Sequence, residues 1–524
     1  MMSAYDSAAN GYDIPGSRKR FMRGIDVNAN SPDADILNKR EGSISLSRDM
    51  AMNTPLAIAA LSRIRTNTVG SGLRLQSQID RDILGLDEAT ARAWQANVER
   101  KFAMWAETKD CDITRQQTFY ELQDLVFYSV LLSGDVCVLY PNKKVKGFPY
   151  GTRVRIIESD LLSNPNHMPD SSAYGSVTNI YGGIETDADG APVRYHFSDR
   201  YPGSNLNPGL GKWVVLDAFD ANGRRQVHHL FFKDRPGQRR GMPILAPILG
   251  VLKKVSTLTD SELTAHVISS FFTVFVKDMS GFSAPMGEGF VPGESVLQDE
   301  NGDKQPIDQM QYEMGAGNII HLDDDKEIQI ADPRRMSEAF ENFYVSFVKQ
   351  IAGAISVPYE QLLLHFSASY SASRSALLEG WKAVRVRRTW LAVNFCQPAY
   401  ETWLDEAVAS KDIIAPGYFE NPLVRHAWKK TSWSGMGNGQ LDPLKETKAA
   451  LLRIDGRISD YEKEYNVIHD DGNWEGSVNR LAAQTEIIDN LGLKNTNPLR
   501  NAEKTTVQSD AEDETPVDGQ GTQD

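Results

Sequence analysis

Phe366-Ser367-Ala368-Ser369-Tyr370-Ser371-Ala372-Ser373 is small, polar and free of any apolar period, and strongly periodic sequence flanks it on both sides. Upstream, Met336, Phe340, Phe343, Tyr344, Phe347, Val348, Ile351, Ala352 and Ile355 keep one helical face, and Pro358 limits its continuation. Downstream, Arg374 to about Ala409 contains no glycine except Gly380 and carries Leu377, Trp381, Val384, Trp390, Leu391, Phe395, Trp403 and Leu404. At 1.5 Å per residue such a helix spans roughly 50 Å, longer than a compact domain needs. Pro398 is expected to kink it. A loop of small hydroxyl residues therefore joins two strong helices, and that order sets the fold class.

The chain before this point alternates between helical and extended character. Residues 47–70 and 88–132 read as helices, with Gly134-Asp135 as the stop of the second. Val136–Tyr140, Arg153–Glu158, Val193–Phe197 and Val227–Phe232 read as strands, and Asp189-Gly190 and Asn222-Gly223 as hairpin dipeptides. Pro243 is placed as a first-turn proline of a helix whose stripe runs Ile244, Leu245, Ile248, Leu249, Leu252, Val255, Leu258. A Gly/Pro-rich extended segment, Lys277 to Pro333, follows, with turns at Asn301-Gly302 and Gly315-Ala316-Gly317. The fold class is α+β, with two helices enclosing a β insert.

Composition narrows the function classes. The 524 residues are 41% hydrophobic before counting 40 glycines and 24% charged, ordinary for globular domains. Three cysteines without CxxC spacing exclude a disulfide scaffold and a cysteine zinc site, and fit a reducing compartment. A net charge of −14 argues against a protein that coats DNA by neutralising it, though not against a surface past which DNA slides. The greasiest stretch, Leu263 to Val276, is shorter than a bilayer requires and contains His266, so no membrane partner is expected. Residues 1–40 read as a flexible N-terminal arm with a basic knot at Arg18-Lys19-Arg20 and Arg23, and residues 493–524 as a disordered acidic tail.

Enzymatic constellations do not assemble. GxxxxGK[ST], GxSxG and HExxH are absent. His228-His229 falls in a strand, where alternate faces separate the rings. Asp187-Ala188-Asp189-Gly190 resembles the opening of a calcium loop, but Ser198 stands where the closing bidentate Glu should be. Asp323-Asp324-Asp325 reads as a solvated turn, and a metal-dependent nuclease built on it is the rival class. No enzyme activity, cofactor or metal is expected.

Five clusters, in order along residues 45 to 490, give the chain a family likeness. They are Ser47-Arg48-Asp49 leading to Asn67-Thr68-Val69-Gly70-Ser71-Gly72, with two glycines free to take positive φ; Phe102, Trp105 and Cys111-Asp112 with Ser133-Gly134-Asp135; and His229-Leu230-Phe231 with Arg235-Pro236-Gly237-Gln238-Arg239-Arg240-Gly241-Met242-Pro243. Pro358, Glu360, Tyr370 and Arg374 belong to the fourth, and Trp428 with Asp442 and Pro443 to the fifth. In these the chain resembles phage portal proteins of the lambda family, the ring at one capsid vertex through which DNA enters and leaves. Where the family often shows Tyr-Ser-Ser, this chain has Tyr370-Ser371-Ala372, one hydroxyl fewer.

The resemblance implies an architecture. Residues 41–235 would be an α+β wing, 236–276 a stem helix, 277–335 a β-rich clip and 336–356 a second stem helix. Residues 357–373 would be the tunnel loop, lining the DNA channel with Phe366, Ser367, Ser369, Tyr370, Ser371 and Ser373; 374–411 the long kinked helix; and 412–492 a C-terminal region with a helical crown. It further implies a homo-dodecamer in the virion at the capsid portal vertex, assembled in the host cytoplasm. The implied partners are double-stranded DNA contacted without sequence specificity, the terminase large subunit, a head–tail connector or adaptor protein, and the major capsid protein with its scaffold and protease. A minor capsid protein without a channel is a further alternative. The cations Lys382, Arg385, Arg387 and Arg388 are expected to pair with acids of a neighbouring subunit or to face phosphates.

Overall fold

A computed structural model describes residues 29–170, 179–202, 211–270, 274–278, 296–298, 304–306, 326–330, 337–366, 369–437, 443–468 and 474–491. The chain forms two units, Pro247–Ala354 and the remainder on either side of it.

The larger unit begins with helices α1 (Pro32–Asn53) and α2 (Pro55–Thr68), each with a proline in its first turn. The Ser31 hydroxyl accepts the Ala34 N–H at 3.2 Å and caps α1. Arg40 lies buried inside this helix, so residues 32–40 belong to the folded body, which corrects the arm expected for 1–40. The physical reason is a set of buried polar partners, described below, that no local pattern announces. After α2, Gly70 and Gly72 take φ of 58° and 102°, the left-handed stop read from the sequence. A Cβ on Gly72 would stand 2.6 Å from that of Tyr120. Strand β1 (Arg74–Ser77), the short α3 (Arg81–Leu84), α4 (Glu88–Glu107) and α5 (Phe119–Ser133) follow. Thr118 and Glu121 form a reciprocal capping box at the start of α5.

The expected strands form as β2 (Asp135–Leu139), β3 (Arg155–Glu158), β4 (Asn179–Tyr181), β5 (Ile184–Thr186), β6 (Pro192–Ser198), β7 (Trp213–Asp217) and β8 (Val227–Phe231). They make an antiparallel sheet of order β3-β2-β8 and a meander β4-β5-β6-β7. One core of Cys137, Ile157, Leu162, Ile184, Tyr195, Phe197, Ala218 and Val227 takes residues from both. Asp189-Gly190 closes the β5–β6 hairpin with Gly190 at φ 84°. Asp187 there accepts the backbone N–H groups of Asp189 and Ala191, so it holds a turn.

The smaller unit contains α6 (Leu249–Ser270), β9 (Val274–Asp278), β10 (Val296–Gln298), β11 (Lys304–Pro306), β12 (Lys326–Ile330) and α7 (Ser337–Ala354). β9 pairs with β12 and β10 with β11, both antiparallel. Pro243 does not start α6, contrary to expectation. It closes a turn by accepting the Ala246 N–H at 3.0 Å, and the helix begins only after a 3-10 turn over Ala246–Ile248 that contains Pro247. The turns expected at Asn301-Gly302 and 315–317, and Asp323-Asp324-Asp325, lie outside the described residues.

The larger unit resumes with α8 (Tyr359–Leu363), α9 (Tyr370–Leu391), a π-turn over Ala392–Cys396, α10 (Gln397–Ala409), α11 (Pro422–Lys429) and β13 (Thr431–Ser434). α12 (Pro443–Asp455), α13 (Tyr461–Ile468) and α14 (Trp474–Asn490) complete it. The break expected at Pro398 takes the form of that π-turn. Pro398 has no N–H to give Asn394, and the ladder widens one step earlier, where Gln397 N–H reaches Ala392 O. β13 pairs with β1, residues 350 and more apart in sequence, with Trp433 opposite Leu75. Behind that pair sits an aromatic core: Phe102 lies 5.2 Å from Trp403 and 5.3 Å from Trp105, and Phe119 stacks on Phe395 at 5.4 Å.

Candidate functional site

The segment expected to line a channel is only partly irregular. α8 occupies 359–363 and ends at Leu364, whose φ of 53° is left-handed. α9 starts at Tyr370, four residues before the expected Arg374. Alanine favours a helix and serine opposes it only weakly, so the mixed segment extends α9 by a turn, with Ser369 at the N-cap position but its hydroxyl turned to Ser371 and not to a backbone N–H. Tyr370, Ser371 and Ser373 therefore sit in the first turn of α9 and not in a loop. Phe366, Ser369 and Ser371 are exposed, and the hydroxyls of Ser369 and Ser371 are 3.3 Å apart. Ser373 is 9% exposed and turned into the protein. Ser367 and Asp442 lie outside the described residues. Arg374 pairs with Glu446 of α12 at 3.7 Å, and Pro443 opens that helix.

The entry to this segment is held by contact. A Cβ on Gly380 would stand 2.7 Å from Pro358 Cδ, so the one glycine of α9 makes room for the proline before α8. Glu360 is buried in the same short helix. Of the four cations expected to face phosphates or a neighbouring subunit, Arg387, Arg388 and Lys382 have partners within the chain, while Arg385 is exposed without an ion pair among the described residues. Arg387 donates to Ile355 O at 2.5 Å. Arg388 donates to Thr68 O at 3.1 Å and Asn67 O at 3.0 Å, satisfying carbonyls at the open end of α2. Lys382 pairs with Glu379 one turn away on its own helix at 2.5 Å.

Three of the five family-like clusters meet elsewhere, around Asp135. Its carboxylate, 1% exposed, accepts Arg40 Nη2 at 2.7 Å and Arg240 Nε at 2.6 Å, and also bonds the Ser159 hydroxyl. His229 Nε2 is 3.1 Å away. Arg240 further donates to Leu162 O, Gly182 O and Ser159 O at 2.6–2.8 Å. Burial opposes charge on Asp135, yet Arg240, Arg40 and the His229 hydrogen bond hold its carboxyl well below the usual range. Burial likewise lowers His229, which the Asp135 bond only partly offsets. Arg48, from the first cluster, reaches Ser133 at 3.0 Å and Glu158 at 2.6 Å.

The residues from 235 to 243 form the strap that delivers Arg240. Gln238 Oε1 accepts the N–H groups of Asp234 and Arg235 while its Nε2 donates to Arg240 O at 2.9 Å. Gly237 takes φ 80°. Arg235 pairs with Asp35 at 2.6 Å, and Arg239 with Asp33, so the strap binds the first turn of α1. These motif positions clasp α1 to the sheets. Asp135 and Arg240 stand in the family-like clusters, whereas Arg40 and Ser159 lie in no motif. The one available sign was a carboxylate inside the otherwise apolar strand Asp135-Val136-Cys137-Val138-Leu139.

Among the described residues, no cluster of three or more His, Cys, Asp or Glu could hold a metal ion, and no helix is long and apolar enough to cross a membrane. A family model described as phage portal protein, lambda family, matches residues 18–388. The portal protein of Escherichia phage N15 is 24% identical over 456 residues, 84% of each chain. Portal protein B of Escherichia phage lambda is also 24% identical, over 84% of this chain and 83% of its own. A probable portal protein of Halomonas phage phiHAP-1 is 22% identical over 94% of this chain and 90% of its own. Among solved structures, a chain from the neck of an empty gene transfer agent particle aligns over 82% of this chain and 94% of its own, at 15% identity and a TM-score of 0.44.

Proposed function

This chain belongs to the lambda family of phage portal proteins, and from that membership we propose that twelve copies close into a ring forming the DNA channel at one vertex of the virion. The observation that carries the reading is the family match itself, from residue 18 to 388, which spans strands β1–β12, the smaller unit, the serine-rich segment and most of α9. Portal proteins are structural, and the work here is passage and anchorage with no bond made or broken.

In this reading the α+β body is the wing, α6 and α7 are the stem helices, and β9–β12 belong to the clip that a head–tail connector and the terminase large subunit grip. α12–α14 form the crown. The major capsid protein and its scaffold and protease meet the ring during assembly in the host cytoplasm. Phe366, Ser369 and Ser371 face the duplex. Their exposure supports this, as does the absence of charge among them: short hydroxyls give weak contacts that a moving duplex breaks readily, whereas each Lys–phosphate contact would add affinity through counterion release. Head-to-tail contacts that close on themselves give cyclic symmetry. Native mass spectrometry tests the assembly. Twelve chains of 58.3 kDa give a species of about 700 kDa, and monomer or dimer alone at micromolar concentration overturns the ring.

A further inference from the structure

A basic groove crosses the face of the larger unit formed by α10, α11, β13 and the turn before β8. Two cavities of about 580 and 430 Å³ adjoin there, sharing Glu401, His426 and Lys429 as walls. Seven Lys and Arg side chains line them against two carboxylates, Glu401 and Asp405, in a chain whose net charge is −14. The inner cations are paired: Lys429 lies 3.3 Å from Glu401, and Arg425 Nη2 lies 2.6 Å from Asp405. At the rim, Arg224 and Arg385 are exposed and make no ion pair among the described residues, and Lys430, also exposed, has only Asp80 at 3.5 Å. Arg425 Nε is buried without an acceptor. Burial foremost, and then Arg225 and Arg224, push His228 down to about 4.

We propose that this groove is the docking site of the chain's own acidic C-terminal segment, residues 503–518, from the same copy or a neighbouring one. Charge complementarity selects that occupant. Residues 493–524 hold Glu503, Asp510, Glu512, Asp513, Glu514, Asp518 and Asp524 against three Lys or Arg. The 21 residues from Leu491 to Glu512 extend to at most roughly 70 Å, which bounds how far one copy's tail reaches. Size also fits a peptide: cavities of about 580 and 430 Å³ hold side chains of an extended segment. Tethering supplies an effective concentration in the millimolar range, so weak contacts suffice. The docked tail screens cations that would otherwise hold phosphates, leaving a surface to which nucleic acid adheres less. None of this depends on the portal reading.

The full-length protein tests it with a water-soluble carbodiimide, which joins carboxylates to amines already in ionic contact, followed by proteolysis and mass spectrometry. The expected product links Lys430 to the peptide bearing Glu512, Asp513 and Glu514. Its yield falls about fivefold or more between about 50 and 500 mM salt, and similarly in Arg224→Glu/Arg385→Glu, a pair chosen because neither side chain makes an ion pair among the described residues. The Glu401–Lys429 link serves as the internal control. Tail links absent while the control forms, or spread evenly over other lysines such as Lys39 and Lys382, overturn the proposal. Neutralising the tail (Glu512→Gln, Asp513→Asn, Glu514→Gln) is expected to strengthen retention of duplex DNA at low salt. Unchanged retention means the tail does not screen the groove and overturns it as well.

Discussion

Gly134 and Gly241 meet backbone to backbone. A Cβ built on Gly134 would stand 2.6 Å from the carbonyl carbon of Gly241, and one on Gly241 would overlap Gly134 O. The contact brings the end of α5 against the strap and lets the Gly241 N–H and the Arg240 guanidinium both reach Asp135. Backbone cannot yield as a flexible side chain can, so Gly241→Ala is expected to destabilise by about 3 kcal/mol or more. Gly42→Ala, in α1 with open space around it, is expected to stabilise by about 0.5–1 kcal/mol. Denaturant midpoints of the two variants check the contrast, and equal effects would remove the contact's importance.

Asp135→Asn leaves two guanidinium groups buried opposite a neutral amide. Breaking a buried pair by deleting one partner costs about 3–5 kcal/mol, and here two partners lose their counter-charge. The wild-type carboxyl is held below its unfolded value, so its contribution is complete above about pH 4 and is lost as pH falls through the lowered folded value. The variant is expected to unfold at much lower denaturant at pH 7, with the gap to wild type closing toward acid.

Histidine titration gives a separate pH signature. The folded chain keeps His228 neutral down to about pH 4, while the unfolded chain binds its proton near pH 6.5. Stability is therefore full above pH 6.5 and falls between 6.5 and 4, by an order-of-magnitude 3 kcal/mol from this group. His228→Gln should flatten that limb, read from urea midpoints at pH 7 and 4.5; a variant with the wild-type slope would assign the limb to other groups.

Arg388→Ala is expected to cost about 1.5–3 kcal/mol by uncovering the carbonyls of Asn67 and Thr68, and Arg388→Lys should recover little, since one ammonium does not reproduce a fork spanning two acceptors. If Arg388 instead faced phosphates, its loss would reduce the salt dependence of DNA retention without changing stability. Thermal denaturation together with a salt series separates the two.

Much of this could be read from periodicity and turn chemistry. The strands at 135–139, 155–158 and 227–231 and the left-handed Gly70 and Gly72 follow from local rules acting on local residues. What escaped depends on partners distant in sequence. Arg40 belongs to the body because Asp135, 95 residues on, neutralises it, and Gly380 is required by Pro358 and not by any turn. α9 starts at Tyr370 and not at Arg374 because the alanines among the serines favour helix, a preference that the small polar character of the segment masks. Local rules located the exposed serines but could not separate them from Ser373, whose burial is a tertiary fact.

That separation gives the channel its sharpest test. Ser369 and Ser371 are exposed at the start of α9, while Ser373, two residues on, is buried. Ser369→Arg/Ser371→Arg would add about 24 cations to a ring of twelve, all facing phosphates if these residues line the channel. Rings should assemble normally yet stall in packaging or ejection at low salt, with partial rescue as salt rises and screening shortens the interaction. Ser373→Arg should behave differently, because a guanidinium forced into a buried position costs stability before any DNA is present. Its expected phenotype is reduced soluble yield or a lowered melting temperature, insensitive to DNA. Packaging at the wild-type rate in low salt by the Ser369→Arg/Ser371→Arg rings would move the channel wall away from residues 369–371.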